Sequence, residues 1–197
     1  MKEVYYWSPC LTKVGTIKST LNSAISLAKY SKEYEVKVLN VFGEWTQYKE
    51  YLKNKNVDIE NLTFDFYKFL PKNGFLKSRF SYIIIILISF LPLIFFLKRK
   101  KPEFLIIHLI TSLPLILFNF FNLPTKLILR ISGYPKLNFL RKILWQISEK
   151  KIFQITCPTS ALVEDLKKNE IFDEKKVKLL SDAIINMNEF RNKKNQP

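Results

Sequence analysis

The residues best suited to chemistry stand where buried strands are predicted to end. His108 is the only histidine, and it closes the apolar run FLIIH. In a parallel sheet, ligands bind at the carboxyl ends of the strands. An imidazole there could hydrogen-bond a ligand hydroxyl or assist proton transfer. His108 is therefore the candidate catalytic residue, and the alternative is a histidine whose hydrogen bonds are met within the core.

Candidate phosphate-binding residues lie in LTKVGT, between the first predicted strand and the first helix. The segment has one glycine where a dinucleotide fingerprint has three. Lys13, Gly15 and Thr16 nevertheless lead into a helix N-terminus, whose free N–H groups and dipole favour an anion. A plain tight turn is the alternative. Glu44, in FGEW after the second predicted strand, either faces the same cleft or is an exposed loop acid.

A further candidate binding loop is RISGYPK, at the end of the predicted strand LILR. Arg130 falls late in that strand, and its guanidinium could hold a diphosphate with two parallel hydrogen bonds, whereas Lys136 would act as a point charge. Ser132, Gly133 and Tyr134 follow in the loop. A basic residue that is merely solvated at a strand end is the alternative.

Strands and helices alternate along the whole chain. The predicted strands are EVYYW, EVKVLNVF, LTFDFYKF, PEFLIIHLI, TKLILRIS, IFQITCPTS and KVKLLSDAI. Helices are predicted in IKSTLNSAISLAKYS, TQYKEYLKNK, SLPLILFNFF, GYPKLNFLRKILWQISEKK and ALVEDLKKN, the last capped by Thr159 or Ser160. This order predicts an α/β fold with a doubly wound, mostly parallel, Rossmann-like sheet of about six or seven strands.

An uncharged apolar run from Phe80 to Leu97 interrupts this alternation. At 1.5 Å per residue it reaches roughly 27 Å, near the lower limit for a bilayer core of about 30 Å. A single span would leave half of the sheet on each side of the membrane. We therefore expect segment 79–101 to be a monotopic, membrane-associating helical insertion with basic ends at the lipid headgroups.

Two alternatives for the apolar run remain. One is a core helix that never meets lipid. The other is a hairpin of two spans, from Phe80 to Leu97 and from Phe104 to Leu123. The hairpin would place the basic segment KRKK on the far side of the membrane, against the positive-inside rule.

The helix predicted after Gly133 extends the predicted membrane surface. Its apolar face, expected to pack on the sheet, consists of Leu137, Leu140, Ile143, Leu144 and Ile147. Phe139 and Trp145 fall beside that face among basic residues, as in interfacial aromatic belts, or else pack under a neighbouring helix. The residues predicted to contact the membrane are Ile84, Ile85, Ile86, Phe90, Phe95, Phe96, Lys98, Arg99, Phe139 and Trp145.

The composition favours a polyanionic partner. The formal net charge is +15, from 32 basic and 17 acidic residues among 197. The apolar run favours an anionic lipid surface over nucleic acid, because nucleic-acid-binding proteins rarely expose such a stretch to water. Cys10 and Cys157 are far apart and form no CxxC pair, so we predict neither a disulfide framework nor a metal site.

In order and spacing, several of these segments resemble the N-terminal domain of bacterial glycosyltransferase family 4 enzymes. They are YYWSPCLTKVGTIKSTLNSAISLAKYS, NVFGEW, LIIHLITSLPLIL, LILRISGYPKLNFLRKILW and ITCPTS. The resemblance implies a GT-B fold, in which one Rossmann-like domain binds the acceptor and a second binds the nucleotide-sugar. It implies that Gly15 lies near the donor diphosphate and His108 in the acceptor cleft, with the RISGYP loop close by.

The resemblance also implies a function. It indicates a hexosyltransferase that transfers a sugar to a lipid-linked saccharide in cell-surface polysaccharide synthesis. Such an enzyme would attach peripherally to anionic lipid at the cytoplasmic face of the inner membrane, and it would have no nucleic-acid partner.

The sequence departs from that family in one respect, because it contains no two glutamates separated by seven residues, the signature of the donor domain. We therefore expect residues 1–185 to form the acceptor-binding domain, residues 186–197 to begin an interdomain linker, and a donor-binding domain to act in cis or in trans. This half would bind no cofactor and be inactive alone, since the nucleotide-sugar is implied for the full enzyme. The alternatives are a non-catalytic membrane-binding partner of a separate donor-domain chain and a small two-span integral membrane protein.

Overall fold

Seven strands form one parallel sheet in a computed structural model that describes residues 1–12, 15–71, 74–135 and 137–182. The strands are β1 (Lys2–Trp7), β2 (Tyr34–Asn40), β3 (Asp58–Asn61), β4 (Phe104–Ile107), β5 (Lys126–Arg130), β6 (Ile152–Cys157) and β7 (Val177–Leu179). Their spatial order is β3-β2-β1-β4-β5-β6-β7, and each neighbouring pair is parallel. The predicted α/β fold class is confirmed.

Helices cover the two faces of the sheet unequally. They are α1 (Gly15–Tyr30), α2 (Lys49–Lys53), α3 (Phe75–Lys100), α4 (Ser112–Phe120), α5 (Phe139–Ser148) and α6 (Ser160–Lys168). Because parallel crossovers are right-handed and the strand order reverses at β1, α1 and α2 lie on one face and α3 to α6 on the other. The two buried clusters of apolar side chains divide in the same way. We call the face under α3 to α6 the closed face and the opposite one the half-open face.

The apolar run is the crossover helix α3, between β3 and β4, and not an insertion into the fold. Its inner side packs on the closed face, where Leu93 and Leu97 are fully buried. The stretch Leu76–Lys100 is long and apolar enough to cross a bilayer, by length and composition. The hairpin of two helical spans is wrong, because the segment proposed as its second span begins with strand β4.

The side chains predicted to contact a membrane from this helix divide by exposure. Ile85 is fully buried, so its predicted exposure to lipid is wrong. Ile84, Ile86, Phe90 and Phe96 are half-buried against the core, and the ring of Phe96 meets that of Tyr5 edge-on at 4.8 Å. Phe95, Lys98 and Arg99 are exposed. The phase of the helix was not evident from a run that is apolar on every side.

Helix α5 is rotated relative to the prediction. Trp145 is buried and its ring lies 5.3 Å from that of Phe172, whereas Leu140 and Ile147, expected inside, are 76% and 61% exposed. The alternative of packing under a neighbouring element is thus the one observed for Trp145. Burial of a large indole against another aromatic ring stabilises this orientation more than burial of leucine or isoleucine would. Phe139 is exposed, as predicted.

The third strand lies earlier than predicted. Alternation in LTFDFYKF suggested a strand from Leu62, but β3 ends at Asn61, and Leu62 only donates its N–H to the Asn40 carbonyl at 2.9 Å. The apolar residues of the following loop, among them Phe66 and Leu70, pack into the closed-face core. Their burial accounts for the alternating pattern without a strand.

Candidate functional site

Four polar side chains meet at the carboxyl edge of the sheet. This polar cluster consists of Ser19 on α1, His108 after β4, Arg130 at the end of β5 and Asp182 after β7. Arg130 Nη2 and Ser19 Oγ both donate to Asp182 Oδ1, each at 2.5 Å. Asp182 therefore connects α1 to the central strands and neutralises a guanidinium that is 4% exposed.

His108 is buried beside this ion pair. Neither ring nitrogen has a hydrogen-bond partner within the described part of the chain. Burial lowers the pKa of His108 to about 3, the charge of Arg130 acts in the same direction, and Asp182 opposes it. The imidazole is thus neutral at pH 7, with one donor and one acceptor nitrogen. A base so weak is poorly matched to proton transfer near neutrality but well suited to hydrogen-bonding a hydroxyl.

A groove extends from the polar cluster along the half-open face, between α1 and strands β4 to β6. Its volume is about 550 Å³, within the range of small-molecule sites. The phenol of Tyr6 on its floor bonds Ser23 Oγ at 2.9 Å, and burial raises the Tyr6 pKa to about 12. The groove is lined mainly by Val4, Tyr6, Ser23, Leu27, Tyr30, Tyr34, Phe104, Ile106, His108, Ile128, Arg130, Thr156 and Asp182.

No protein-family model matches this sequence, and no curated protein sequence is significantly similar to it. Solved structures do match. The chain is similar to Glycyrrhiza uralensis UGT73P12, solved with glycyrrhetinic acid 3-O-monoglucuronide, with a TM-score of 0.61 and 10% identity over 91% of this chain and 48% of that one. It is also similar to CalG4, the calicheamicin glycosyltransferase, with a TM-score of 0.50 and 12% identity over 89% and 44% of the two chains.

Both of these proteins are glycosyltransferases of the GT-B class. The shared feature is one Rossmann-like domain of the GT-B fold. At such low identity the likeness concerns the fold alone, and the chain spans about half the length of the structures it matches.

Glu44 is a structural residue of the turn after β2, so both sequence interpretations of it are wrong. The side chain is buried, and its carboxylate accepts from the backbone N–H groups of Phe42 at 2.9 Å and Val41 at 3.2 Å. Burial raises its pKa to about 8, although these N–H groups act to lower it. Gly43 has φ +101°, and the Asp65 carboxylate fills the place of a Cβ there. FGEW is thus a tightly closed turn.

The other predicted residues that the structure describes lie near the same edge of the sheet without joining the cluster. Gly15 begins α1, and Thr16 accepts a bond from Thr20 Oγ1 at its carbonyl, at 2.9 Å. Ser132, Gly133 and Tyr134 are exposed in the loop after β5. An added Cβ would meet nothing within 4 Å at Gly15 or Gly133, so packing requires neither glycine. Lys13, Lys136 and the predicted linker 186–197 lie outside the described residues.

Three groups at this site were not predicted: Ser19, Asp182 and Thr156. Asp182 could have been found, because LLSD places an acid after the last strand, as FLIIH places a histidine after β4. Thr156 faces the groove from β6 by simple alternation along that strand. Ser19 gave no signal, since it is one of several serines on α1. The described residues hold no group of three metal-ligating side chains.

Proposed function

We propose that this chain is the acceptor-binding half of a glycosyltransferase, acting with a donor-binding half in cis or in trans. The observation that carries the proposal is the polar cluster at the carboxyl edge of the parallel sheet, the edge at which parallel α/β folds bind ligands. The similarity of this fold to half of a GT-B glycosyltransferase supports it. The chain covers about half the length of two glycosyltransferase structures, which supports separate acceptor-binding and donor-binding halves. The nucleotide-sugar would bind to the other half.

The chemistry of the cluster suits a saccharide acceptor. Sugar hydroxyls both donate and accept hydrogen bonds, and the neutral imidazole of His108 offers one group of each kind. Arg130 Nη1 has no partner in the described residues and adds a further donor. We propose that His108 positions the acceptor hydroxyl. Gly15 and the exposed Ser132, Gly133 and Tyr134 would face the donor diphosphate and the adjoining sugar.

Charge segregation supports attachment to anionic lipid. Between residues 66 and 148 the sequence has thirteen basic residues and one acidic residue, Glu103. This region contains α3, α4 and α5, three helices of the closed face. Basic side chains are attracted to anionic headgroups, by about 1 kcal/mol each near the surface.

The outer side of α3 offers the apolar component. An exposed stripe on it, which we call the α3 stripe, is spaced by three or four residues and lies opposite the buried side. The α3 stripe consists of Leu76, Phe80, Ile83, Leu87, Leu91 and Phe95, each more than half exposed. We propose that the α3 stripe enters the cytoplasmic leaflet of the inner membrane, with Lys98 and Arg99 at the headgroups and Phe139 of α5 beside it. A lipid-linked saccharide would reach the carboxyl edge from that surface.

Cosedimentation with vesicles of phosphatidylcholine and phosphatidylglycerol tests the membrane part. The double variant Leu87→Asp, Leu91→Asp should lose vesicle binding at least tenfold, because two charges would enter the hydrocarbon region. Phe64→Asp is the matched control, since Phe64 is 68% exposed but lies on the loop after β3. If the unmodified chain, the double variant and Phe64→Asp bind vesicles equally and give the same circular dichroism spectrum, the α3 stripe is excluded as the membrane contact.

Equilibrium binding tests the acceptor part. A fluorescent short-chain prenyl-diphosphate-linked saccharide should bind the chain, and UDP-glucose should not. His108→Phe should weaken saccharide binding about tenfold, the value of one good hydrogen bond to a ligand. Binding of UDP-glucose without the saccharide would instead assign the donor role to this half.

A further inference from the structure

Within the described residues, no helix covers strands β4 to β7 on the half-open face. Parallel sheets are normally covered on both faces. Here α1 and α2 cover only the side of β1 to β3, while α3 to α6 all lie on the closed face. The groove follows from this topology, because its floor is formed by the residues of β1, β4, β5 and β6 whose side chains face the half-open side of the sheet. Its walls are mostly apolar.

Two buried polar side chains point into one end of the groove without full hydrogen bonding. His108 is 7% exposed and lacks partners at both nitrogens, and Arg130 is 4% exposed and lacks one at Nη1, among the described residues. Buried groups of this kind are costly to leave unsatisfied. Thr156 contributes a hydroxyl at the same end. The opposite end is apolar, where the rings of Tyr34 and Phe104 meet at 5.9 Å.

The free polar groups select the chemistry of the ligand. An anion would be attracted by Arg130 but repelled by Asp182, which already neutralises the guanidinium. The neutral His108 would present to the anion either an acceptor nitrogen, which repels it, or a single N–H group. A hydroxyl group satisfies both kinds of partner. Along β4, the distance from His108 to Phe104 is four residues, or about 13 Å, which suits a medium-length hydrocarbon chain.

We propose that the groove binds a hydroxyl-bearing amphiphile, whose head contacts His108, Arg130 and Thr156 and whose hydrocarbon chain lies along Ile106 and Ile128 toward Phe104. This site is distinct from the α3 stripe, which is on the opposite face of the sheet. The head-group contacts rest on the proposed function, because His108 and Arg130 also belong to the proposed acceptor site. The hydrocarbon chain in the groove goes beyond that function, and its binding requires neither glycosyl transfer nor a membrane.

The test uses n-octyl-β-D-glucoside below its critical micelle concentration, measured by isothermal titration calorimetry with the full chain. We expect one site that binds octyl glucoside at least tenfold more tightly than glucose. Ile106→Trp should fill the groove and abolish binding, and Thr156→Val, a change of nearly equal volume, should weaken it several-fold. Phe64→Trp is the control for adding an indole elsewhere and should change nothing.

Two further results separate this proposal from its rivals. The Leu87→Asp, Leu91→Asp variant should bind octyl glucoside normally even if it no longer binds vesicles. Binding in the groove can therefore be confirmed whether or not the α3 stripe contacts a membrane. Absence of octyl glucoside binding by the unmodified chain, or binding that Ile106→Trp leaves intact, would overturn the proposal.

Discussion

The two faces of the sheet differ in what their inward side chains contact. On the closed face, Trp7, Leu105 and Ile107 are fully buried under four helices, and the Trp7 indole N–H donates to the Ile110 carbonyl at 3.2 Å. On the half-open face lie the half-buried Ile106 of β4 and, directly after the strand, His108, whose ring nitrogens have no hydrogen-bond partner among the described residues. One side of β4 thus packs apolar residues under helices, and the other side lines a groove that ends in polar groups.

The difference shows how topology creates a site. Right-handed crossovers fix on which face each helix lies. In the described part of the chain, four of the six helices come after the reversal of strand order and therefore lie on the closed face. The half-open face can therefore carry polar residues that a covered face would have to satisfy internally. His108, Arg130 and Thr156 all occupy that face. Stability should depend mainly on the closed face, and ligand binding on the other.

A matched pair on β4 gives the largest expected effect. Ile107→Ala removes a fully buried side chain from the closed face and should lower the free energy of unfolding by about 2–5 kcal/mol. Ile106→Ala, one residue earlier, should lower it by only about 1 kcal/mol, because its side chain is partly solvated already. Urea unfolding followed by circular dichroism measures both. Equal losses would show that the half-open face is packed as tightly as the closed one.

Two buried titratable groups at strand ends should give opposite dependences on pH. Unfolded histidine gains a proton below pH 6.5, but the folded pKa of His108 is about 3. Stability from this residue is therefore complete above pH 6.5 and is lost as the pH falls toward 3. The Glu44 pKa is raised to about 8, so its contribution is complete below pH 4.5 and is lost as the pH rises toward 8.

The variants His108→Gln and Glu44→Gln separate these contributions. Between pH 4.5 and 6.5 the two slopes oppose each other, each at most about 1.4 kcal/mol per pH unit for one proton. His108→Gln should therefore become less stable relative to the unmodified chain as the pH rises through this range, and Glu44→Gln more stable. Urea unfolding at pH 4.5, 5.5 and 6.5 provides the slopes. A His108→Gln variant with the parental pH dependence would mean that the imidazole is solvated.

Much of the fold could be predicted because strand and helix periodicities differ. EVYYW and LILR lie in strands, and IKSTLNSAISLAKYS lies in α1 except for its last residue. The errors arose where burial did not follow from secondary structure. LTFDFYKF alternates because loop aromatics pack into the core. Helix α3 is apolar all round, so its sequence could not indicate which side faces the sheet.

The site was predicted in part, by one rule. Placing polar residues at strand ends identified His108 and Arg130, which line the same groove, but the same rule chose Glu44, which bonds to its own turn. Spacing along the chain cannot tell a carboxylate that accepts backbone N–H groups from one that faces a cleft. The partner of Arg130 is Asp182, fifty-two residues away, and only the sheet order brings it there.

The smallest effect tests whether the polar cluster holds the edge of the half-open face together. Ser19→Ala removes the hydrogen bond to Asp182 Oδ1 and should lower the free energy of unfolding by about 1 kcal/mol. The Arg130 ion pair would remain, so the loss should be modest. Ser26→Ala, on the same helix and beside the same groove, is the control and should change stability by less than about 0.5 kcal/mol. Equal effects of the two variants would mean that Asp182 is held by Arg130 alone, and that α1 is fixed to the sheet by its apolar side rather than by the cluster.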